Sequence, residues 1–188
     1  KVSIIDVGIP TIFVAAEAFS YKMSCTLEDL DKDFETQNAL EAIRCEVAVL
    51  LGISNDVETA HNESQALPKI VLIDSKSTYV SRAKQEINSA NIDLRAIAIS
   101  MGQAHRTYPV SVSMATAVAA NIRGTLVSEI VKDIKVGRLS IGHPGGLMKL
   151  EVDVTLDGDV WTVGSATIFR TARTIMEGNV IVPTLKLR

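Results

Sequence analysis

The sequence predicts an α+β domain in which a curled mixed β-sheet wraps around one central buried helix. Two observations carry that prediction. Residues 112–121, VSMATAVAAN, are apolar or small on every face, and a helix without a polar face is a buried one. Much of the remaining chain reads as short runs rich in Val, Ile and Leu or as period-two alternation, so the material available to enclose the helix is strand. At 188 residues the chain fits a single domain, 1–188, with a substantial core.

In chain order, residues 2–7 and 11–15 form short strands separated by a turn at Gly8-Ile9-Pro10. Residues 27–33 are acidic and belong to the surface. Between about 35 and 52, Leu40, Ile43, Val47 and Leu50 step by three or four and Gly52 supplies a stop, which predicts an amphipathic helix lying on the domain. Residues 54–68 read as a polar loop that leaves His61 in solvent. Strands follow at 69–74 and 93–101, with a helix at 79–89 between them. Beyond the central helix, 126–131 and 138–141 read as extended. Residues 148–156, 160–166 and 180–185 alternate with period two, the first two runs joined by an Asp157-Gly158 turn.

The formal net charge is −3, and the 22% of charged residues are dispersed, which argues against nucleic acid and against an anionic membrane surface as partners. No run approaches the ~18 apolar residues of a membrane span, and no signal peptide is visible, so a cytoplasmic location is expected. Hydrophobic residues make up 47% of the chain. A helix-filled core accounts for that excess, and so does an apolar face that meets another domain or a second copy in a homo-oligomer. Cys25 and Cys45 form neither a disulfide framework nor a zinc motif. Cys45 lies on the apolar stripe of its helix and reads as a small core residue.

The chemistry concentrates in SMGQAHRTYPVSVS, residues 100–113. A strand ends near Gly102, His105 and Arg106 follow, and Pro109 leads into a helix carrying Ser111 and Ser113 in its first turn. The first N–H groups of a helix lack intrahelical partners and concentrate positive potential, so added hydroxyls make an anion site. A core helix whose serines are only caps fits the same residues. Arg106 could pair bidentately with a carboxylate and His105 could exchange a proton near neutral pH, or the two could be a surface pair on a loop. His143-Pro144-Gly145-Gly146 sits between two strands. Its glycines let backbone N–H groups form an anion-binding nest, and they equally suit ordinary strand punctuation.

At this point the chain resembles a known family. The segments IIDVGIPTIFV, LEAIRCEVAVLLGI, SMGQAHRTYPVSVSMATAVAA, GHPGGLMKLEVDV and RTARTIMEGNVIVP follow one another as in the PrpF-like isomerases. That family shares the diaminopimelate-epimerase fold and includes aconitate isomerase, methylitaconate isomerase and oxalomesaconate tautomerase. The resemblance implies the same architecture, two similar domains in a parent protein, and a substrate site between them. All the matched segments resemble the C-terminal domain, and the RTAR…VIVP ending and a start at Lys1 agree with half of a longer protein.

The resemblance also implies an activity, the allylic proton transfer that shifts a double bond in an unsaturated di- or tricarboxylate. It needs no cofactor and no metal. The acid and base, a lysine and a cysteine, are expected in the N-terminal half, and neither Cys25 nor Cys45 occupies a matching motif. This half is expected to hold the small-molecule carboxylate through Gly8, Thr11, Gly102, His105, Arg106, Ser111, Ser113, His143, Gly145 and Gly146, with Asp6 a further candidate. A simple bend in a strand would also explain Gly8 and Pro10. Two positions depart from the pattern, Ile9 where the family commonly has Asn and Gly145 where it often has Ser. Arg170 and Arg173 recur in the family's tail and would equally suit an exposed ion-pairing patch. An amino-acid epimerase or racemase of the same fold, and a non-catalytic carboxylate-binding or assembly protein, are the alternatives.

Overall fold

The computed structural model describes residues 1–19, 21–132, 136–169 and 172–182. The strands are β1 (Ser3–Asp6), β2 (Pro10–Ala15), β3 (Lys69–Ser75), β4 (Tyr79–Val80), β5 (Glu86–Ile87), β6 (Leu94–Ser100), β7 (Gln103–Ala104), β8 (Arg138–His143), β9 (Gly146–Asp157) and β10 (Val160–Ile168). The helices are α1 (Leu27–Lys32), α2 (Phe34–Leu50), α3 (Val57–Glu63), α4 (Val110–Asn121) and α5 (Leu126–Ile130).

Eight strands form one sheet in the order β1-β2-β3-β6-β8-β9-β10, with β7 paired to β6. Its β2–β3 and β6–β8 pairings are parallel and the others antiparallel, so the sheet is mixed. α4 packs against β1 near one edge and against β8, β9 and β10 toward the other, which requires the sheet to curl around it.

Period-two alternation sorts the side chains. Phe13, Val71, Ile73, Leu94, Ala96 and Ala98 face inward and share one cluster with Val112, Ala115 and Ala119 of α4. Their neighbours Ile12, Val14, Ile70, Leu72, Ile97 and Ile99 face outward and are covered by Leu27, Leu30, Leu40 and Val47 of α1 and α2. Burial on both faces explains why β3 and β6, KIVLIDS and LRAIAIS, are nearly continuous apolar runs. The small residues of α4 let its backbone lie close to the inner strands.

Five local expectations are corrected. Residues 27–33 are more than acidic surface, because Thr26 and Asp29 form a reciprocal capping box that starts α1 and sends Leu27 and Leu30 into the core. Residues 54–68 contain α3, nucleated by the Asp56 side chain accepting from the Thr59 N–H. Residues 79–89 are the β4–β5 ribbon rather than a helix, with Lys84 at φ 58° in its turn and Ser81 N–H donating to the Gln85 carbonyl. Residues 126–130 are helical because Thr125 caps them through Ser128 N–H, and Leu126 and Val127 are buried. Residues 180–182 carry no strand, and the rest of that run, like Arg170, lies outside the described residues. No helix among the described residues is long and apolar enough to cross a membrane.

Candidate functional site

The orientation of α4 is set at its C-terminal end. There Thr125 Oγ1 donates to the Ala119 carbonyl at 2.6 Å, Asn121 Oδ1 accepts from Gly137 N–H at 3.0 Å, and Ser3 Oγ accepts from Leu126 N–H at 2.9 Å. β1 therefore starts beside the C-terminal end of α4 and carries Gly8 toward the opposite end. β8 likewise runs from Arg138, next to Gly137, to His143, toward the start of α4.

That start is uncapped. Pro109 occupies the cap position with no side-chain hydrogen bond to the helix, and Ser113 N–H is the donor that reaches the Pro109 carbonyl, at 2.9 Å. The N–H groups of Val110, Ser111 and Val112 therefore precede the first intrahelical bond.

The β8–β9 turn meets this end. The rings of Tyr108 and His143 stack with centroids 6.0 Å apart, and a Cβ on Gly145 would lie 3.2 Å from Thr107 Cγ2 and 3.1 Å from His143 Cε1. Gly145 N–H donates to His143 Nδ1 at 3.1 Å, which in the neutral ring assigns the proton to Nε2. Gly146 has φ 140°, a backbone conformation that suits glycine.

A residue that the sequence placed in a helix holds the turn from outside. Tyr79 Oη donates to the His143 carbonyl at 2.8 Å and also reaches the Gly146 carbonyl, and Arg82 N–H donates to the Pro144 carbonyl at 2.9 Å. Gly142 makes room for this, since a Cβ there would come within 3.1 Å of the Tyr79 ring. No sequence signal marks Tyr79, because its partners are backbone carbonyls distant in the chain.

The predicted site residues divide. The Ser111 turn, His143, Gly145 and Gly146 are assembled at the start of α4, joined there by Tyr108, which the sequence did not single out, and strand direction brings exposed Gly8, in a left-handed bend at φ 80°, toward the same end. Thr11 and Ser113 are fully buried, and their hydroxyls donate to the carbonyls of Ile9 at 3.0 Å and Val110 at 2.7 Å. His105 lies in the approach loop, its Nδ1 accepting from Thr107 N–H at 3.2 Å. Arg106 turns to α1, 2.9 Å from Asp31 and 3.3 Å from Glu28. Gly102 stands apart, in the β6–β7 turn beside Gln37 and Glu41 of α2. Arg173 is exposed.

Packing of α2 on α3 also gathers Glu41, Cys45 and His61, whose donor atoms lie within 4.8 Å of one another. Positive charge is already supplied there by Arg44, whose Nη2 is 2.6 Å from Glu41 Oε1 and 3.2 Å from Cys45 Sγ. Arg44 also donates to the carbonyls of Ala60, Ser64 and Leu67 at 2.8, 2.8 and 2.9 Å, so it ties α2 to α3 and its following loop. His61 is exposed as expected, yet 2.9 Å from Glu41.

Comparison with known proteins covers nearly the whole chain. The profile of the family described as PrpF protein matches residues 1–183. A 2-methyl-aconitate isomerase of Shewanella oneidensis is 31% identical over 181 residues, covering 96% of this chain and 45% of its own length. A 3-methylitaconate isomerase of Eubacterium barkeri is 32% identical over 188 residues, with 99% and 48% covered. The crystal structure of a methylitaconate-delta-isomerase superposes with a TM-score of 0.82 at 30% identity, over 95% of this chain and 46% of that one. The chain thus spans about half the length of the curated relatives it matches. With the curled sheet, the enclosed helix and this coverage, the chain belongs to the PrpF family.

Proposed function

We propose that this chain is the C-terminal half of a two-domain isomerase that shifts a double bond in an unsaturated di- or tricarboxylate by cofactor-independent allylic proton transfer. In this reading it supplies the carboxylate-binding side of a site between the two halves. The observation that carries the proposal is the uncapped start of α4, brought against the His143–Gly146 turn by the Tyr108–His143 stack. Isomerases of methylated unsaturated carboxylates among the relatives support the substrate class.

The chemistry matches what such a site offers. Removing a proton from the carbon next to an alkene leaves a delocalised carbanion whose charge reaches the carboxylate oxygens. Backbone N–H dipoles already oriented toward those oxygens stabilise the charge as it develops, with no reorganisation at that moment. Returning the proton at the far carbon completes the shift, with no net electron transfer and no group transferred. The acid and base belong to the other half in this reading, so the present half binds and orients.

The test is proton NMR of the whole protein in D2O with cis-aconitate, trans-aconitate and methylitaconate. Deuterium uptake with double-bond migration in one of them names the substrate. Silence in all three from folded protein removes these substrates and favours the second reading, a non-catalytic carboxylate-binding or assembly role. Ile9, Gly145 and the engagement of Arg106 with Glu28 and Asp31 motivate that alternative.

A further inference from the structure

A cavity of about 520 Å³ opens on the outer face of the sheet, across β6 from α4, between residues 21–28 and the β4–β5 ribbon. Its floor is Arg95 and Ile97, which alternate with the inward-facing Leu94, Ala96 and Ala98. Tyr21, Met23 and Leu27 form one wall and Tyr79 stands in the other.

Arg95 is the unusual group. Its guanidinium lies 4.3 Å over the Tyr79 ring and, among the described residues, makes one long hydrogen bond, from Nη1 to Ser77 Oγ at 3.4 Å. Among the described residues no carboxylate lies within ion-pairing distance of it. Its cross-strand neighbour Asp74 accepts from Ser75 N–H at 2.7 Å. Burial holds the Arg95 pKa below the usual arginine range, against the opposing pull of Tyr79, Tyr21 and Asp74. Arg44, buried where Arg95 is partly exposed, spends its donors on a carboxylate and three carbonyls. A guanidinium carries five N–H donors, and those of Arg95 that the protein does not use open on the cavity, where a carboxylate can take the place of solvent.

The neighbouring hydroxyls do not fill the need. Tyr21 Oη donates toward the Cys25 and Thr26 carbonyls and Tyr79 Oη toward those of His143 and Gly146. Two cations line the chamber: Arg82 is 3.4 Å from Glu28, which also lines it, whereas Arg95 faces the apolar and aromatic part without a carboxylate partner among the described residues.

We propose that this cavity binds a small monocarboxylate with an apolar body, its carboxylate on Arg95 and its body against Tyr21, Met23 and Ile97. The site is separate from the start of α4 and does not depend on the isomerase reading. A further carboxylate would have to compete with Glu28 for Arg82 or press against Met23, Leu27 and Ile97, so the two sites select different acids. Tyr79 is shared, because its ring carries Arg95 and its hydroxyl holds the β8–β9 turn.

Cys25 lines the cavity and is exposed, whereas Cys45 is buried, which gives a local reporter. Iodoacetamide labelling of the whole protein, read at the Cys25 peptide by mass spectrometry, is followed with phenylacetate as probe and phenylacetamide as its neutral control. Phenylacetate slows Cys25 alkylation at least five-fold at saturation, phenylacetamide leaves it within two-fold, and Arg95→Gln abolishes the protection. Arg95→Lys, which keeps the charge but loses the planar fork, weakens the protection and decides the matter if Arg95→Gln does not fold. Equal protection by the amide, no protection by the acid, undiminished protection in the variants, or a Cys25 already inert before any addition would each overturn the proposal.

Discussion

The ring of Tyr108 lies on that of His143, centroids 6.0 Å apart and planes inclined by 26°, and this stack joins the segment leading into α4 to the β8–β9 turn. Tyr108 is anchored in turn by its hydroxyl, 2.9 Å from Thr116 Oγ1 two turns along the helix. Burial pushes the Tyr108 phenol far above its ordinary pKa, so it is neutral throughout the working range and acts by shape and hydrogen bonding.

Tyr108→Phe keeps the stack and loses the hydroxyl contact, at a cost of about 1 kcal/mol. Tyr108→Ala removes the ring from a fully buried position and costs about 3–5 kcal/mol. Urea denaturation of both variants separates the two contributions, and the His143 ring resonances shift in the alanine variant and stay near their native positions in the phenylalanine one.

Tyr79→Phe tests the outer support of the same turn. It leaves the carbonyls of His143 and Gly146 without the phenol donor, which costs about 1–2 kcal/mol. Amide exchange at Gly145 and Gly146 speeds up, and if the turn holds substrate, KM of the whole protein rises several-fold while the fold is retained.

The two serines of the first turn predict opposite outcomes. Ser113 is fully buried and its hydroxyl closes on the Val110 carbonyl, so Ser113→Ala changes stability by about 1 kcal/mol or less and leaves substrate affinity intact. Ser111 is only half-buried and stands among the N–H groups that precede the first intrahelical bond. Ser111→Ala weakens carboxylate binding by about three- to ten-fold, the value of one hydrogen bond, with no change in the thermal midpoint. Steady-state kinetics beside thermal melts distinguishes the pair.

What could be read from the chain follows from the range of the forces involved. α4 was legible because burial on every side leaves a local composition, and β3 and β6 were legible because burial on both faces leaves an apolar run. α5 and the β4–β5 ribbon were not. The first depends on Thr125 acting as a cap despite the β-branched residues beside it, and the second on Lys84 adopting a left-handed turn. At the site, residue type suggested His143 and Gly145, but nothing local shows that Arg106 turns toward Asp31 or that the Ser113 hydroxyl is spent inside its own helix. Tyr79 and Arg95 were missed for the same reason, since their roles come from partners brought together by strand order.

Acid stability gives the last test, at Glu41. Burial disfavours its charged form, but the hydrogen bonds from Arg44 and His61 together outweigh burial and hold the carboxyl below the usual range. A carboxylate whose folded pKa is depressed contributes stability that is complete above its unfolded pKa, about 4.3, and is lost as the pH falls through the folded value. The network therefore stabilises the α2–α3 pairing at neutral pH and lets go in acid. Arg44→Leu removes the hub, takes from Glu41 its charged partner and from the carbonyls of Ala60, Ser64 and Leu67 their guanidinium donors, and costs about 3–5 kcal/mol at pH 7. Glu41→Gln costs less, and its deficit against the unmodified chain, read from urea midpoints, shrinks as the pH is lowered below about 4. A deficit that stays constant from pH 7 to pH 3 would show that the charge of Glu41 plays no part in holding α3.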